Sequence, residues 1–125
     1  MECIILTGCT SGLGLAIHEK LCIDSAWEGR CLFVGRGMSR LKKNSLHLYF
    51  EMDMSSCADW DELIAGLSEN ITRVTLISNA GVIHPITDVS LLAMDDVDRA
   101  VNVNYLSPLS LVSKLSWWTK NNRVS

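Results

Sequence analysis

Short apolar runs alternate with amphipathic stretches along most of this chain. Cys3-Ile4-Ile5-Leu6-Thr7, Cys31-Leu32-Phe33-Val34-Gly35 and Val74-Thr75-Leu76-Ile77-Ser78 lack the polar alternation of a half-exposed strand. Such runs suit strands buried on both faces, as in a parallel sheet covered by helices. The stretch Leu46 to Met52 reads differently. There Leu48, Phe50 and Met52 alternate with His47, Tyr49 and Glu51, which predicts a strand near the sheet edge. Between these lie helical patterns. Leu13, Ala16, Ile17 and Leu21 repeat at helical spacing, and so do Trp60, Leu63, Ile64, Leu67 and Ile71, with Ser55 or Ser56 as a cap. A longer helix is predicted from about Asp95 towards Lys120, with Val97, Val101, Tyr105, Val112 and Leu115 on its apolar side and Pro108 bending it.

The resulting order, β-α-β-α-β-α-β-α, calls for right-handed crossovers and an α/β fold. One domain over residues 1–125 is expected, a Rossmann-type doubly wound parallel sheet of about four strands. Neither a repeat nor a low-complexity linker interrupts it. The 125 residues are 48% hydrophobic, enough for a packed core and against disorder. The net charge of -3 gives a nucleic-acid backbone nothing to bind. The basic residues Arg36, Arg40, Lys42 and Lys43 form a local cluster suited to a single phosphate. The five cysteines, Cys3, Cys9, Cys22, Cys31 and Cys57, form no C-x-x-C pair, have no His at metal-ligand spacing and are odd in number. Free thiols in a reducing compartment, and no metal, are therefore expected. The first residues run straight into an apolar strand without the regions of a secretory leader, and no apolar run reaches membrane-span length. The expected location is the cytoplasm.

The candidate chemistry begins where the first strand ends. Thr7-Gly8-Cys9-Thr10-Ser11-Gly12-Leu13-Gly14 passes directly into an amphipathic helix. A phosphate needs backbone N–H groups aimed at it with no side chain in the way, and a helix N-terminus adds partial positive charge. The strand–glycine loop–helix context is the one that makes such a pattern informative.

The spacing T-G-x-x-x-G-x-G resembles that of the short-chain dehydrogenases/reductases. Ser78-Asn79-Ala80-Gly81 is similar to that family's N-N-A-G motif, with Ser78 in place of the first Asn. Val101-Asn102-Val103-Asn104-Tyr105-Leu106-Ser107-Pro108 resembles the segment that supplies the family's active-site Asn, and Asp53 stands where the family places an adenine-contacting Asp. The stretch from Ile77 to Ile86 resembles sepiapterin- and benzil-reductase-like members. The resemblance implies phosphates over Ser11, Gly12 and Leu13, with Gly8 making the turn and Gly14 packing helix on strand. It implies the adenosine ribose beside Asn79, Ala80 and Gly81, and Asn104 as the catalytic-site Asn, with Asn102 a spacer. Asp53 reads equally well as an acid at a helix N-terminus.

Arg36 bears on the cofactor. It follows the second strand, about 20 residues past the glycine loop, where NAD-preferring proteins place an acid on the ribose 2′-OH. A guanidinium there would bind a 2′-phosphate with paired hydrogen bonds, so NADP(H) is expected over NAD(H). Arg40 could assist. Ser11 departs from the pattern of many NADP-preferring members, which carry a basic residue at that place. His18, His47 and His84 have no acid–base partner at recognisable spacing and read as surface or structural residues. The adjacent Trp117 and Trp118 read as either contact surface or core.

The family's activity is hydride transfer between NAD(P)H and a carbonyl or alcohol, with a Ser and a Tyr-x-x-x-Lys pair one helical turn apart. Here Tyr49 and Tyr105 are followed four positions later by Asp53 and Leu109. The catalytic Ser, Tyr and Lys and a substrate lobe are thus not found, and a chain cut short in that region is expected to leave its fourth strand as an open edge and to be marginally stable or dimeric. Two readings follow. One is the front half of an NADP(H)-dependent carbonyl reductase, inactive by itself. The other is a non-catalytic NADP(H)-binding or interaction module, which could pair as a homo-oligomer.

Overall fold

The computed structural model describes residues 1–56 and 59–124; Cys57, one of the expected free thiols, lies outside them. Four strands, β1 (Glu2–Thr7), β2 (Arg30–Gly35), β3 (Leu48–Glu51) and β4 (Arg73–Ser78), form one parallel sheet in the order β3-β2-β1-β4. Cys3 lies beside Arg30 on one side and Val74 on the other, and Leu32 lies beside Leu48. The central strands are buried on both faces, as the unbroken apolar runs require: Cys3, Ile5, Leu6, Cys31, Leu32, Phe33 and Val34 have no exposed surface.

Helices cover both faces. α1 (Gly12–Ile23) packs Leu15, Ile17, Leu21 and Cys22 on the face carrying Leu6, Cys31 and Phe33. α2 (Asp61–Ala65) and α4 (Ser107–Asn122) cover the face carrying Cys3, Ile5, Leu32 and Val34, with Trp60, Leu63, Leu111, Leu115 and Trp118 at the contact. The arrangement is the expected doubly wound sheet. Among the described residues no helix is long and apolar enough to cross a membrane, and no group of three or more His, Cys, Asp or Glu could hold a metal ion.

Several local expectations are corrected. β4 is not buried on both faces; its residues alternate between exposed and half-buried, because it is the edge of the sheet. The crossover from β2 to β3 holds no α-helix, only a 3-10 turn at Met38–Arg40. Nor is α2 the full stretch from Trp60 to Ile71. It ends at Gly66, whose N–H bonds back to Glu62 and Leu63 and which lies against Leu48 and Phe50. Leu67 and Ile71 still reach the core from the loop beyond. Its N-terminus is held by the Asp59 carboxylate, which accepts from the Asp61 N–H at 2.9 Å, rather than by Ser55 or Ser56. In α1 the inward row is Gly14 and His18, while Leu13 is 70% exposed, because the close approach of Gly14 to β1 sets the rotation of the helix.

The long C-terminal helix is real but composite. α3 (Met94–Val101) passes through a π turn at Asn102–Leu106 into α4. Pro108 has no N–H to give the preceding turn, and the ladder widens just upstream: the Ser107 N–H reaches back to the Asn102 carbonyl. The extra residue in that turn changes which side faces inward. The buried row is Val103, Ser107, Leu111, Leu115 and Trp118, whereas Val101, Tyr105 and Val112 are exposed.

Candidate functional site

The site lies at the carboxyl ends of the strands, where open parallel sheets bind ligands. β1 ends at Thr7, fully buried, whose hydroxyl accepts from the N–H groups of Asn79 and Ala80, both at 3.1 Å. The Asn79 side-chain amide in turn donates to the Gly8 carbonyl at 3.1 Å. These three bonds bind the loop after β1 to the loop after β4. Gly8 takes a left-handed conformation (φ 70°), and a Cβ there would stand 2.8 Å from the Ala80 Cα. A Cβ on Gly14 would stand 1.8 Å from the Gly8 carbonyl oxygen. Both glycines are therefore demanded by backbone contact. Gly12 has φ 54° at the first position of α1, with open space around it.

A cavity of ≈ 160 Å³ opens beside this junction. Gly8, Ser11, Arg36, Asp53, Asn79, Ala80 and Gly81, all singled out from the sequence, line it together. Gly12, Leu13 and Gly14 do not. They form the first turn of α1, with Gly14 packed inward and Leu13 turned to solvent. Of the basic cluster only Arg36 lines the cavity. Arg40 folds back onto its own turn, its Nε 3.5 Å from the Gly37 carbonyl, and Lys43 lies over the Tyr49 ring.

Asp53 accepts the Ser55 N–H at 2.9 Å. Hydrogen bonds from Ser55, then the positive charge of Arg36 and Arg99, hold its carboxyl below the usual range. It is thus an anion with acceptor capacity left, facing the cavity.

Asn104 does not line the cavity. Its amide grips the backbone of Val82 in both senses: Oδ1 accepts the Val82 N–H at 2.8 Å and Nδ2 donates to the Val82 carbonyl at 2.7 Å. Asn102 is more than a spacer, since its Nδ2 donates to the Ser55 carbonyl at 3.0 Å. Ser107 Oγ donates to the Met54 carbonyl at 2.9 Å. The π turn therefore holds both the loop after β3 and the loop after β4, while Val103 between the two asparagines faces the cavity.

Three features escaped sequence reasoning. Glu51 accepts from the N–H groups of Met38 (2.8 Å) and Gly37 (2.7 Å), and these bonds hold its carboxyl below the usual range and fix the turn that carries Arg36. No sequence signal marked it; the β2–β3 pairing, visible only in the fold, sets Gly35 beside Glu51. Thr7 was read only as a motif letter. Arg99 also lines the cavity; its helical spacing to Val103 was the available signal. The histidines divide: His18 and His47 are buried, with Nε2 of His18 3.2 Å from the Tyr49 hydroxyl and Nδ1 of His47 accepting the Cys31 N–H, while His84 is exposed.

Known proteins resemble this chain in sequence and in fold. The short chain dehydrogenase family model matches residues 2–118. Benzil reductase ((S)-benzoin forming) of Bacillus cereus is 26% identical over 135 aligned positions, covering 99% of this chain and 53% of that protein. The human mitochondrial dehydrogenase/reductase SDR family member 2 is 29% identical over 126 positions, covering 95% of this chain and 45% of that protein. The crystal structure of a short-chain dehydrogenase/reductase from Burkholderia vietnamiensis superposes with a TM-score of 0.75 at 28% identity, covering 94% of this chain and 58% of that one. The chain thus spans about half the length of the curated relatives it matches. With that family model matching residues 2–118 of a parallel α/β fold, the chain belongs to the short-chain dehydrogenase family.

Proposed function

We propose that these residues form the NADP(H)-binding part of a cytoplasmic oxidoreductase that interconverts a carbonyl and an alcohol. The observation that carries the cofactor preference is Arg36. It stands at the cavity wall beyond β2, within the same cavity as Gly8 and Ser11, and makes no ion pair within the described residues. A free guanidinium at that place suits a 2′-phosphate, which a carboxylate would repel. Asp53, on the same cavity, is near enough to feel the charge of Arg36 yet forms no ion pair with it among the described residues, and Glu51 is committed to the N–H groups of Gly37 and Met38.

The residues fit a dinucleotide. Gly8 and Gly14 keep the crossing between β1 and α1 free of side chains, and the Ser11 hydroxyl with the first N–H groups of α1, at Gly12 and Leu13, would hold a pyrophosphate. Asn79, Ala80 and Gly81 would bring backbone to the ribose, and Asp53 would accept from the adenine amino group. Asn104 positions the loop at Val82. The bound nicotinamide would supply the hydride. Proton transfer is another matter: Tyr49 and Tyr105 have no Lys one turn on, so residues 1–125 by themselves are proposed to bind cofactor and turn over no carbonyl.

A second reading, a non-catalytic NADP(H)-binding or interaction module, is favoured by one observation. Val101, Tyr105, Leu109, Val112 and Trp117 are exposed along the C-terminal helix, an apolar row suited to a second protein surface or a second copy. The deciding experiment is a fluorescence titration with NADPH and NADH. Arg36→Asp should weaken NADPH binding at least tenfold more than NADH binding, the loss of a charge-assisted pair. Equal loss would refute the 2′-phosphate role. Carbonyl-dependent oxidation of NADPH by this chain alone would overturn the inactive reading.

A further inference from the structure

A second cavity lies at the opposite end of the sheet from the one described above. It measures ≈ 480 Å³, inside the usual range of small-molecule pockets, about 300–1,000 Å³. Its lining comes from the amino ends of the strands: Met1 just before β1, Arg30 at the start of β2, Leu46 and His47 just before β3, and the loop that leaves α1. The walls are chiefly apolar. Leu21 and the Trp27 ring are half-buried there, whereas Ile23 and Leu46 are 74% and 72% exposed. Large apolar side chains left uncovered around a cavity mark a place where an apolar partner can sit.

The polar groups of this cavity are mostly donors. Arg30 is half-buried and, among the described residues, makes no ion pair or side-chain hydrogen bond. Asp24 and Glu28 share the lining, yet neither reaches Arg30 at ion-pair distance. Both are exposed to water, and Asp24 already accepts the Ala26 N–H at 3.1 Å. His47 is buried, and its Nδ1 accepts the Cys31 N–H at 3.2 Å. That bond ties the ring to the residue after Arg30 and leaves the proton of the neutral imidazole on Nε2. Burial, and after it the charges of His18 and Arg30, lower the pKa of this ring, so it is neutral at pH 7. The Trp27 ring stands 6.4 Å from it, centroid to centroid. A guanidinium has no acceptor to offer, and its planar fork matches the two oxygens of a carboxylate.

We propose that this second cavity binds a small carboxylate with an aromatic or branched apolar body, its head on Arg30 beside His47 and its body against Leu21, Trp27 and Leu46. The proposal is independent of the dinucleotide reading, which concerns the carboxyl ends of the same strands.

The probes are phenylacetate, its neutral isostere phenylacetamide and the cation 2-phenylethylamine. Cys22 supplies a built-in reporter. It is half-buried on the cavity wall, whereas Cys3, Cys9 and Cys31 have no exposed surface and burial pushes their thiols up to about 11, 11 and 12. In the wild-type chain, millimolar phenylacetate should slow alkylation of Cys22 by iodoacetamide, read by mass spectrometry on the tryptic peptide from Leu21 to Arg30. Calorimetric titration should show phenylacetate binding about tenfold tighter than phenylacetamide, the worth of a hydrogen bond to a charged group. Arg30→Met should erase that difference and leave NADPH binding as it was. Leu46→Asp, at an exposed position that the fold does not depend on, should weaken phenylacetate by at least as much. An unprotected Cys22 in the wild-type chain overturns the proposal. So does equal affinity for acid and amide, or tighter binding of the amine, which would give the cavity to Asp24 and Glu28.

Discussion

Gly14→Ala adds one methyl group, and the structure says where that group must go. The Cβ would stand 1.8 Å from the Gly8 carbonyl oxygen, 2.5 Å from the Asn79 amide nitrogen and 2.8 Å from the Gly8 carbonyl carbon. Two of those atoms are backbone, and Gly8 is pinned by its own N–H to the Val34 carbonyl at 2.8 Å. To reach even 3.0 Å, α1 must back off by more than an ångström along its whole first turn. Such overpacking costs about 1–3 kcal/mol. The Asn79–Gly8 bond, worth roughly 0.5–1.5 kcal/mol, goes with it. Gly12→Ala is the internal control. Its site has a left-handed φ of 54° but open space, so it bears only a conformational cost of about 1–2 kcal/mol. Thermal melts of the two variants should rank Gly14→Ala well below Gly12→Ala, by several degrees for a chain of this size, with roughly 4 °C per kcal/mol. NADPH affinity should fall in the Gly14 variant as the N–H groups of the turn are displaced. A Gly14→Ala melt within a degree of wild type, or a Gly12→Ala melt below it, would refute the backbone-contact argument.

Two further outcomes follow from the same geometry. Asn104→Ala removes both bonds to the Val82 backbone, which is partly open to water, so stability measured by urea denaturation should drop by about 1–2 kcal/mol and NADPH affinity with it; unchanged values on both counts would show that the loop needs no tether. Burial holds the pKa of His18 and His47 below the ordinary 6.5. The unfolded chain therefore takes up protons first, and stability is full above pH 6.5 and declines as pH falls through and below it. Hydrogen bonds to Glu51 and Asp53 add a second decline, beginning near their ordinary values of 4.5 and 3.8. Urea melts between pH 8 and 4 should show the first decline, and His18→Gln should make it shallower; a flat profile down to pH 5 would contradict the burial of both histidines.

The strand pattern was legible because burial on both faces leaves a plain mark: no polar residue interrupts Ile4 to Leu6 or Cys31 to Val34. The glycine loop was legible because a backbone-to-backbone contact tolerates no side chain, a constraint that falls on sequence directly. The rotation of the C-terminal helix was not. Two apolar rows run along it, Val101-Tyr105-Leu109-Val112 and Val103-Leu111-Leu115-Trp118, and periodicity alone cannot choose between them. The choice is made by the π turn that Pro108 imposes. Helix α2 was overread for a related reason: Leu67 and Ile71 keep helical spacing, yet they reach the core from a loop after Gly66 has ended the helix. The acid Glu51 was invisible because its partners are backbone N–H groups, which every residue carries.

The site is joined to the sheet mainly through backbone. Thr7, Asn79, Asn102, Asn104 and Ser107 each spend a polar side chain on a carbonyl or N–H of a neighbouring loop, and none of those bonds needs a cofactor to form. The loops after β1, β3 and β4 are therefore held before any ligand arrives, which lowers the ordering cost of binding. Among the described residues the guanidiniums of Arg36 and Arg99 make no ion pair, and Asp53 is the only carboxylate that lines their cavity. A fixed frame with its cations unspent is the arrangement that an anionic dinucleotide would complete. The same logic separates the two classes of variant: changes at Thr7, Gly14 or Asn104 should move stability and binding together, whereas a change at Arg36 should move binding alone.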